Sequence, residues 1–212
     1  MITPKGQSIE DRSMEIIDSE VGPHHYSKDE WTIVKRVIHS TADFDFARAN
    51  RILFHRDAIE SGIAALKGGC NITVDVNGVA GLLNKDNLGR FGNKVICGIS
   101  DPRVVEEAKR NNRTRAQTAM RLGAREIDGG VVAIGNAPTA LEEVVQMARE
   151  GAARPALVIG IPVGFVCAAE SKEALALTDI PHITNVGRKG GSPCASAILN
   201  ALYIILKQRL AP

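Results

Sequence analysis

A chain of 212 residues, of which 44% are hydrophobic and 24% charged, has the size and composition of one globular domain. The formal net charge is only +2, and acidic and basic residues are interleaved along the chain. Proteins that bind nucleic acids or anionic membranes need a large basic surplus, so neither is expected as the main partner. A few arginines can still converge on one anionic ligand.

The cysteines and the apolar runs exclude further classes of protein. Cys70, Cys97, Cys167 and Cys194 are far apart and include no C-x-x-C pair, so no metal site is predicted and buried, reduced thiols are expected. No apolar run approaches the roughly 18 residues of a membrane span. Met1–Glu10 has no signal-peptide pattern, and a cytoplasmic location is therefore expected.

Two helices are predicted at the start of the chain. The first covers about Ser8–Glu20 and ends before a Gly-Pro pair. The second begins at Ser27, because Ser27 and Glu30 have the spacing of a capping box, and its apolar residues recur at helical separations up to Ile38. This pattern places His39 at the end of the second helix.

Short apolar runs then alternate with helical windows, which predicts a parallel sheet covered on both faces. The predicted strands are Asn71–Val76, Lys94–Gly98, Gly130–Ile134, Ala156–Ile161 and His182–Val186. The predicted helices are Asp57–Lys67, Pro102–Lys109, Thr114–Leu122, Thr139–Glu150, Ser171–Leu177 and Ala195–Gln208. We expect one domain over residues 1–212, with the two opening helices over about residues 8–41.

Ligands of such sheets bind beyond the carboxyl ends of the strands. In this chain the segments that follow the predicted strands are rich in glycine and in hydrogen-bonding groups. They are Val76–Gly78, Gly135–Pro138, Gly160–Gly164 and Val186–Arg188. These segments are the expected ligand-facing rim.

His39 is the best candidate acid/base among five histidines. His24 and His25 lie in a turn, His55 is a candidate core or interface residue, and His182 begins a strand at the opposite edge from the rim. His39 is followed by two hydroxyl side chains and a carboxylate, and an imidazole can give and take a proton near neutral pH. From its context alone, a structural histidine at a helix end is an equal alternative.

Four arginines form a second group of candidates. Arg188 lies in the glycine-rich segment Gly187–Pro193 before the last helix, Arg115 lies at a helix start, and Arg12 and Arg36 lie on the opening helices. Guanidinium groups bind carboxylates through two parallel hydrogen bonds, although each arginine taken alone is more simply a surface residue. The phosphate-binding P-loop pattern and the dinucleotide-binding G-x-G-x-x-G pattern are both absent.

Other catalytic constellations find little support. The chain has no G-x-S-x-G elbow and no cysteine beside a histidine in sequence. Asp43 and Asp45 alternate along Asp43–Phe46, which we predict to be a short extended segment with both carboxylates on one face. That arrangement favours a polar edge over a catalytic dyad.

Four motifs resemble those of the precorrin-8X and cobalt-precorrin-8 methylmutases of cobalamin biosynthesis. They run in the family's order over about residues 9–206, and together they are specific. They are Val37–Phe46, Ala133–Leu141, Gly160–Val166 followed by Ala169–Lys172, and Gly187–Ser192.

The resemblance implies a three-layer, flavodoxin-like α/β/α domain that forms a homodimer and moves a methyl group from C11 to C12 of the corrinoid ring. His39 matches the family's acid/base residue. The resemblance implies no cofactor, and any cobalt arrives inside the substrate; the segment that follows His39 looks closer to the anaerobic, cobalt-using branch. The expected substrate contacts are Arg12, Ser13, Arg36, Thr41, Arg115, Asn136, Gly164 and Arg188.

Two functions from other classes stay open. A corrinoid carrier would keep the pocket without the acid/base, and would therefore bind without turnover. A flavin- or nucleotide-binding module would use the same kind of fold, but the first predicted strand is not followed by a hydroxyl-rich phosphate loop.

Overall fold

The computed structural model describes residues 3–211, which form eleven α-helices, one 3-10 helix and six strands. The helices are α1 (Pro4–Val21), α2 (Lys28–Thr41), α3 (Ala58–Lys67), α4 (Asn77–Gly81), α5 (Lys85–Phe91), α6 (Pro102–Arg110), α7 (Arg115–Leu122), α8 (Ala124–Ile127), α9 (Pro138–Arg149), α10 (Ala168–Ala176) and α11 (Ser192–Leu210). The strands are β1 (Ile52–Phe54), β2 (Asn71–Val74), β3 (Lys94–Ile96), β4 (Val131–Ile134), β5 (Leu157–Gly160) and β6 (His182–Asn185).

The six strands form one sheet in the order β1-β6-β5-β4-β2-β3. Only β1 is antiparallel to its neighbour, and the other pairs are parallel. The five parallel strands have the strand order of flavodoxin-like folds, in which the order of strands across the sheet reverses between β2 and β4. The predicted fold class is therefore confirmed.

The central strands are buried on both faces, which explains their continuous apolar sequence. Along β4, Val131 and Ala133 pack into the core under α2, α3 and α11, whereas Val132 and Ile134 pack into the core under α7 and α9. Both cores exclude water, so the sheet is the middle one of three layers.

Several elements differ from the sequence-based expectation. α1 begins at Pro4 instead of Ser8, because the Thr3 side chain accepts the Gly6 N–H and proline suits a first helical position. The strand β1 and the helices α4, α5 and α8 were not predicted, since they have only three to seven residues and show no clear periodicity.

The segment after α2 is a correction. Phe44–Ala47 is a 3-10 helix and not an extended segment, because the Asp43 carboxylate accepts the Asp45 N–H and caps a turn. Asp43 and Asp45 nevertheless come together, since both carboxylates bind the Lys189 ammonium group at 2.7 Å.

The cysteines are a second correction. All four are free, but only Cys194 is buried. Cys167 is exposed, because it precedes α10 in a left-handed turn with φ of 58° at the molecular surface. Cys70 and Cys97 are half-buried.

Between residues 3 and 211 we find no helix that combines the length and the apolar character needed to cross a membrane. The cytoplasmic location stays a prediction, and so does the extent of the domain over residues 1–212.

Candidate active site

A groove of about 630 Å³ lies between α1, α2, the α4–α5 segment and α11. Most of the residues that line it have polar side chains, among them one carboxylate, three basic groups and several amides and hydroxyls. The lining residues are Gln7, Glu10, Arg36, His39, Ser40, Leu82, Asn84, Asn87, Pro193, Ser196, Ala197, Asn200, Ile204 and Lys207.

His39 lies on the wall of this groove in the last turn of α2. The predicted capping box is present, with Ser27 and Glu30 bonding each other's backbone N–H groups, and it sets where the helix begins. Val37 and Ile38 are buried, so the helix turns His39 away from the core and leaves it exposed. An exposed imidazole in a groove can exchange a proton with a bound ligand.

Arg36 lies one turn before His39 on the same side of α2, as residues three apart on a helix do. Its guanidinium group forms an ion pair with the carboxylate of Glu10 on α1. Both side chains are about one-quarter exposed or less, so this pair lies inside the groove and not on the open surface. The negative charge of Glu10 therefore opposes the binding of an anionic ligand to Arg36.

The opposite wall was not predicted from the sequence. Lys207 comes from the last turn of α11, and Asn84 and Asn87 come from the start of α5. Asn200 holds this wall together, because its amide accepts the Asn84 N–H at 3.1 Å and donates to the Leu82 carbonyl at 3.1 Å. These residues belong to none of the recognised motifs, and only the packing of α11 on α2 brings them to His39.

Three predicted contacts on α1 and α2 do not line the groove. Arg12 is exposed and paired with Glu15. The hydroxyl of Ser13 donates to the Ile9 carbonyl, and that of Thr41 donates to the Val37 carbonyl. The structure brings together His39 and Arg36, and leaves these three at the margin.

The other four predicted contacts lie on the rim at the carboxyl ends of the strands. Arg188 is exposed in the loop after β6, and its carbonyl accepts the Gly164 N–H at 3.3 Å. Asn136 is exposed after β4. Arg115 is exposed at the start of α7, where Thr114 and Thr139 join that helix to α9 at 2.8 Å.

The loop over residues 187–191 connects this rim to the histidine. Its Lys189 ammonium group binds Asp43 and Asp45, just beyond α2. Pro193, which follows the loop, accepts a 3.5 Å hydrogen bond from the hydroxyl of Ser40. The loop that carries Arg188 is thus joined to the segment that follows His39.

Several glycines of the rim are required by chain packing. A Cβ on Gly190 would lie 2.3 Å from the Ile161 carbonyl oxygen, and one on Gly135 would lie 2.9 Å from Ser192. Gly187 has φ of 79°, and a Cβ there would lie 2.4 Å from the side-chain nitrogen of Asn50. Gly164 is the one glycine among the predicted substrate contacts. A Cβ there would lie 3.5 Å from the Cβ of Ala168, which is an ordinary contact distance.

The crevice between β2 and β4, where flavodoxin-like folds bind nucleotides, is filled by protein. Asp75 follows β2, is fully buried, and accepts the backbone N–H groups of Gly135, Asn136 and Ala137 at 2.7–3.0 Å. Burial raises the pKa of Asp75, and the three N–H groups act in the opposite direction by stabilising the carboxylate. An internal carboxylate therefore occupies the position that a phosphate would need.

Across residues 3–211, no three or more histidine, cysteine or acidic side chains lie close enough together to hold a metal ion. The histidines outside the groove follow their predicted positions. His24 and His25 are exposed, and His182 begins β6, where burial lowers its pKa.

Comparison with known proteins matches this chain to one family. The family model of precorrin-8X methylmutase matches residues 8–205. The cobalt-precorrin-8 methylmutase of Priestia megaterium is 50% identical over 204 residues, covering 96% of this chain and 90% of the relative. That of Leptospira interrogans is 45% identical, covering 98% and 97%.

A solved structure gives the same result. The precorrin-8X methylmutase of Thermus thermophilus superposes with a TM-score of 0.90 and 42% identity, covering 98% of this chain and 99% of its own. The match spans both the three-layer core and the two opening helices. The chain therefore belongs to the precorrin-8X methylmutase family, the isomerases of cobalamin biosynthesis.

Proposed function

We propose that this chain converts cobalt-precorrin-8 to cobyrinic acid by moving a methyl group from C11 to C12 of the ring, with His39 as the acid/base. The observation that carries the proposal is the exposed imidazole of His39 beside Arg36 in one groove. The names of the two relatives with 50% and 45% identity support the cobalt-containing substrate.

The reaction is an isomerisation, so no co-reactant is needed. The C11–methyl bond breaks, the C12–methyl bond forms, and the bonding electrons stay within the ring system. Protonation of the ring by His39 makes the accepting carbon more electron-poor, and return of that proton restores the imidazole for the next turnover. One group that both donates and accepts a proton is sufficient.

The substrate carries several acetate and propionate arms, which suit the basic side chains of this surface. Arg36 and Lys207 line the groove, and Arg115 and Arg188 are exposed on the adjoining rim. We expect the four of them to bind separate carboxylates. Contacts by Arg12, Ser13, Thr41, Asn136 and Gly164 rest on the family resemblance alone.

Turnover of purified protein with cobalt-precorrin-8, followed through the absorption spectrum of the corrin product, tests the proposal. His39→Ala is expected to lower kcat by roughly 100-fold to 10,000-fold, the usual contribution of a positioned acid/base. The matched control is His25→Ala, which removes an exposed histidine outside the groove. Normal turnover by His39→Ala would overturn the assignment.

The same assay separates the alternatives. A corrinoid carrier would bind product tightly, but neither the protein nor His39→Ala would turn substrate over. A flavin- or nucleotide-binding module is disfavoured because Asp75 fills the crevice where such ligands bind. Parallel assays with metal-free precorrin-8X would show whether the ring must contain cobalt.

The homodimer implied by the family resemblance is part of the proposal. Light scattering on the purified protein would give twice the mass of one chain if the dimer forms. Phe165 and Val166, which are 86% and 79% exposed on the rim, offer apolar surface that such an assembly can cover. A monomer at micromolar concentration would contradict this expectation.

A further inference from the structure

Lys172 is a buried charge without a counter-ion. It lies on α10 and is 1% exposed, and in the described part of the chain it forms no ion pair. Its ammonium group donates to the side-chain oxygen of Asn185 at 3.1 Å and to the backbone carbonyl of Lys189 at 2.8 Å. Burying an unpaired ammonium group destabilises a fold, and an apolar side chain of the same length would avoid that penalty.

Both acceptors of Lys172 belong to the end of β6 and the loop that follows it. The amide of Asn185 also donates to the carbonyls of Val186 and Lys189, so the Lys189 carbonyl accepts two hydrogen bonds. The neighbouring Gly190 lies against the Ile161 carbonyl, with no room for a Cβ. The backbone of the loop is therefore held by two contacts. Lys172 binds the Lys189 carbonyl, and Gly190 packs against Ile161, the residue that follows β5.

The other side of this loop reaches the residues around His39. The Lys189 ammonium group binds Asp43 and Asp45 at 2.7 Å each. Ser40, the residue after His39, donates to the Pro193 carbonyl beyond the loop. Lys189 of the loop and the adjoining Pro193 thus contact the segment of chain that directly follows His39.

We propose that Lys172 is a positioning residue that fixes the loop over residues 187–191 and, through Lys189 and its two aspartates, the orientation of His39 in the groove. This inference rests on the catalytic role proposed for His39. Lys172 acts only through the loop, since it is buried beneath it and does not line the groove. The destabilising buried charge is retained because it orders a functional segment.

Lys172→Met tests this, because it keeps the length of the side chain and removes the ammonium group. We expect kcat to fall roughly 10-fold to 100-fold with little change in KM, as displacement of a catalytic group does. The melting temperature is expected to stay equal or rise. A fall in melting temperature with unchanged kcat would mean that Lys172 is merely structural. The matched control is Lys67→Met, an exposed lysine on α3.

A double-mutant cycle tests the proposed route. Lys189→Met cuts the link to Asp43 and Asp45 and is expected to lower kcat by a similar factor. The double variant should then be no worse than either single variant, because both changes break the same connection. If the fall in kcat of the double variant equalled the product of the two single falls, the proposed route through the loop would be wrong.

A measurement that does not depend on turnover separates this inference from the proposed function. In NMR spectra of histidine-labelled protein, Lys172→Met should shift or broaden the ring signal of His39 and leave those of His24 and His25 in place. An unchanged His39 signal overturns the positioning role, whatever the substrate is. A further outcome is that the protein turns over neither cobalt-precorrin-8 nor metal-free precorrin-8X while its His39 signal still changes in Lys172→Met. That result would support the positioning role and refute only the proposed reaction.

Discussion

His39 and Arg36 occupy successive turns of one face of α2, yet they differ in how freely they meet a ligand. His39 is exposed in the groove, whereas Arg36 is already engaged by Glu10 from α1. A carboxylate that binds Arg36 meets the negative charge of Glu10 beside it. The affinity of Arg36 for an anion is therefore lower than that of an arginine without an internal partner.

Changing each partner of that pair should have opposite effects on substrate binding. Arg36→Met should raise KM roughly 10-fold with little change in kcat, because it removes a contact made equally before and during the reaction. Glu10→Gln should lower KM, since Arg36 is then free of its internal competitor. Steady-state kinetics would measure both. Arg56→Met, an exposed arginine paired with Asp57, is the control. An increase in KM for Glu10→Gln would contradict the competition.

Lys172 makes the stability of the fold depend on pH in a predictable direction. Burial lowers its pKa to about 8, whereas an unfolded lysine keeps its proton to about 10.4. Between these values the unfolded chain binds more protons, so the free energy of unfolding rises with pH. The nearby Cys194 supplies no counter-charge, because burial raises its pKa to about 12, and Lys189 keeps its proton beside Asp43 and Asp45.

Lys172→Met should remove this dependence. At pH 7 the variant should be as stable as the wild type or more so, and the wild type should gain relative to it between pH 8 and about 10.4. Urea unfolding of both proteins at pH 7 and at pH 10 gives the difference in their free energies of unfolding at each pH. If the difference between the proteins were the same at both pH values, the lysine would not titrate in this range.

At the scale of elements, Asp75 joins two strand ends that the chain order separates. Its carboxylate follows β2 and binds the three backbone N–H groups that precede α9. Such N–H groups at a helix start favour a negative charge, and here the protein supplies it internally. This contact closes the crevice and leaves the groove beside α2 as the larger opening for a ligand.

Asp75→Asn should destabilise the fold by about 3 kcal/mol, because the amide presents an N–H₂ group to backbone donors that lose an acceptor. The free energy of unfolding in urea measures this loss. Asp86→Asn, at an exposed position in the first turn of α5, should change it by less than about 0.5 kcal/mol. Equal effects of the two substitutions would show that the buried contact contributes nothing.

At the scale of the whole molecule, α11 connects the core to the groove. It packs on α2, α3 and α4, and its buried Tyr203 donates a 2.6 Å hydrogen bond to Asn93 near the sheet edge. Asn93 in turn donates to the carbonyls of Leu66 and Cys70. One helix thus sets both the sheet edge and the wall that carries Lys207.

Tyr203→Phe should lower the stability of the whole domain by about 1–2 kcal/mol, because Asn93 then keeps a buried oxygen without a donor. One cooperative urea transition, moved to lower urea, is the expected result. Tyr26→Phe is the control, since the Tyr26 hydroxyl makes only a 3.3 Å bond to the Ile52 carbonyl. A separate early transition would show that α11 detaches from the rest.

Local sequence determined the fold class and the position of His39 at the end of a helix. Apolar runs without alternation require strands buried on both faces, and the capping box with its helical stripe places His39 at a helix end. Motif order alone indicated the family, which the comparisons confirmed. These features depend on neighbours within a few residues, or on motifs that can be matched one by one.

Only the tertiary structure decided which side chains surround His39. Glu10, Asn84 and Lys207 lie far apart in sequence. They line one groove because α1 and α11 pack on α2 and because Asn200 of α11 holds the start of α5. Two further contacts join segments more than fifty residues apart. They are the ion pair of Lys189 with Asp43 and the hydrogen bond from the Gly135 N–H to Asp75. Such contacts follow from strand order and helix packing, which no local pattern of residues encodes.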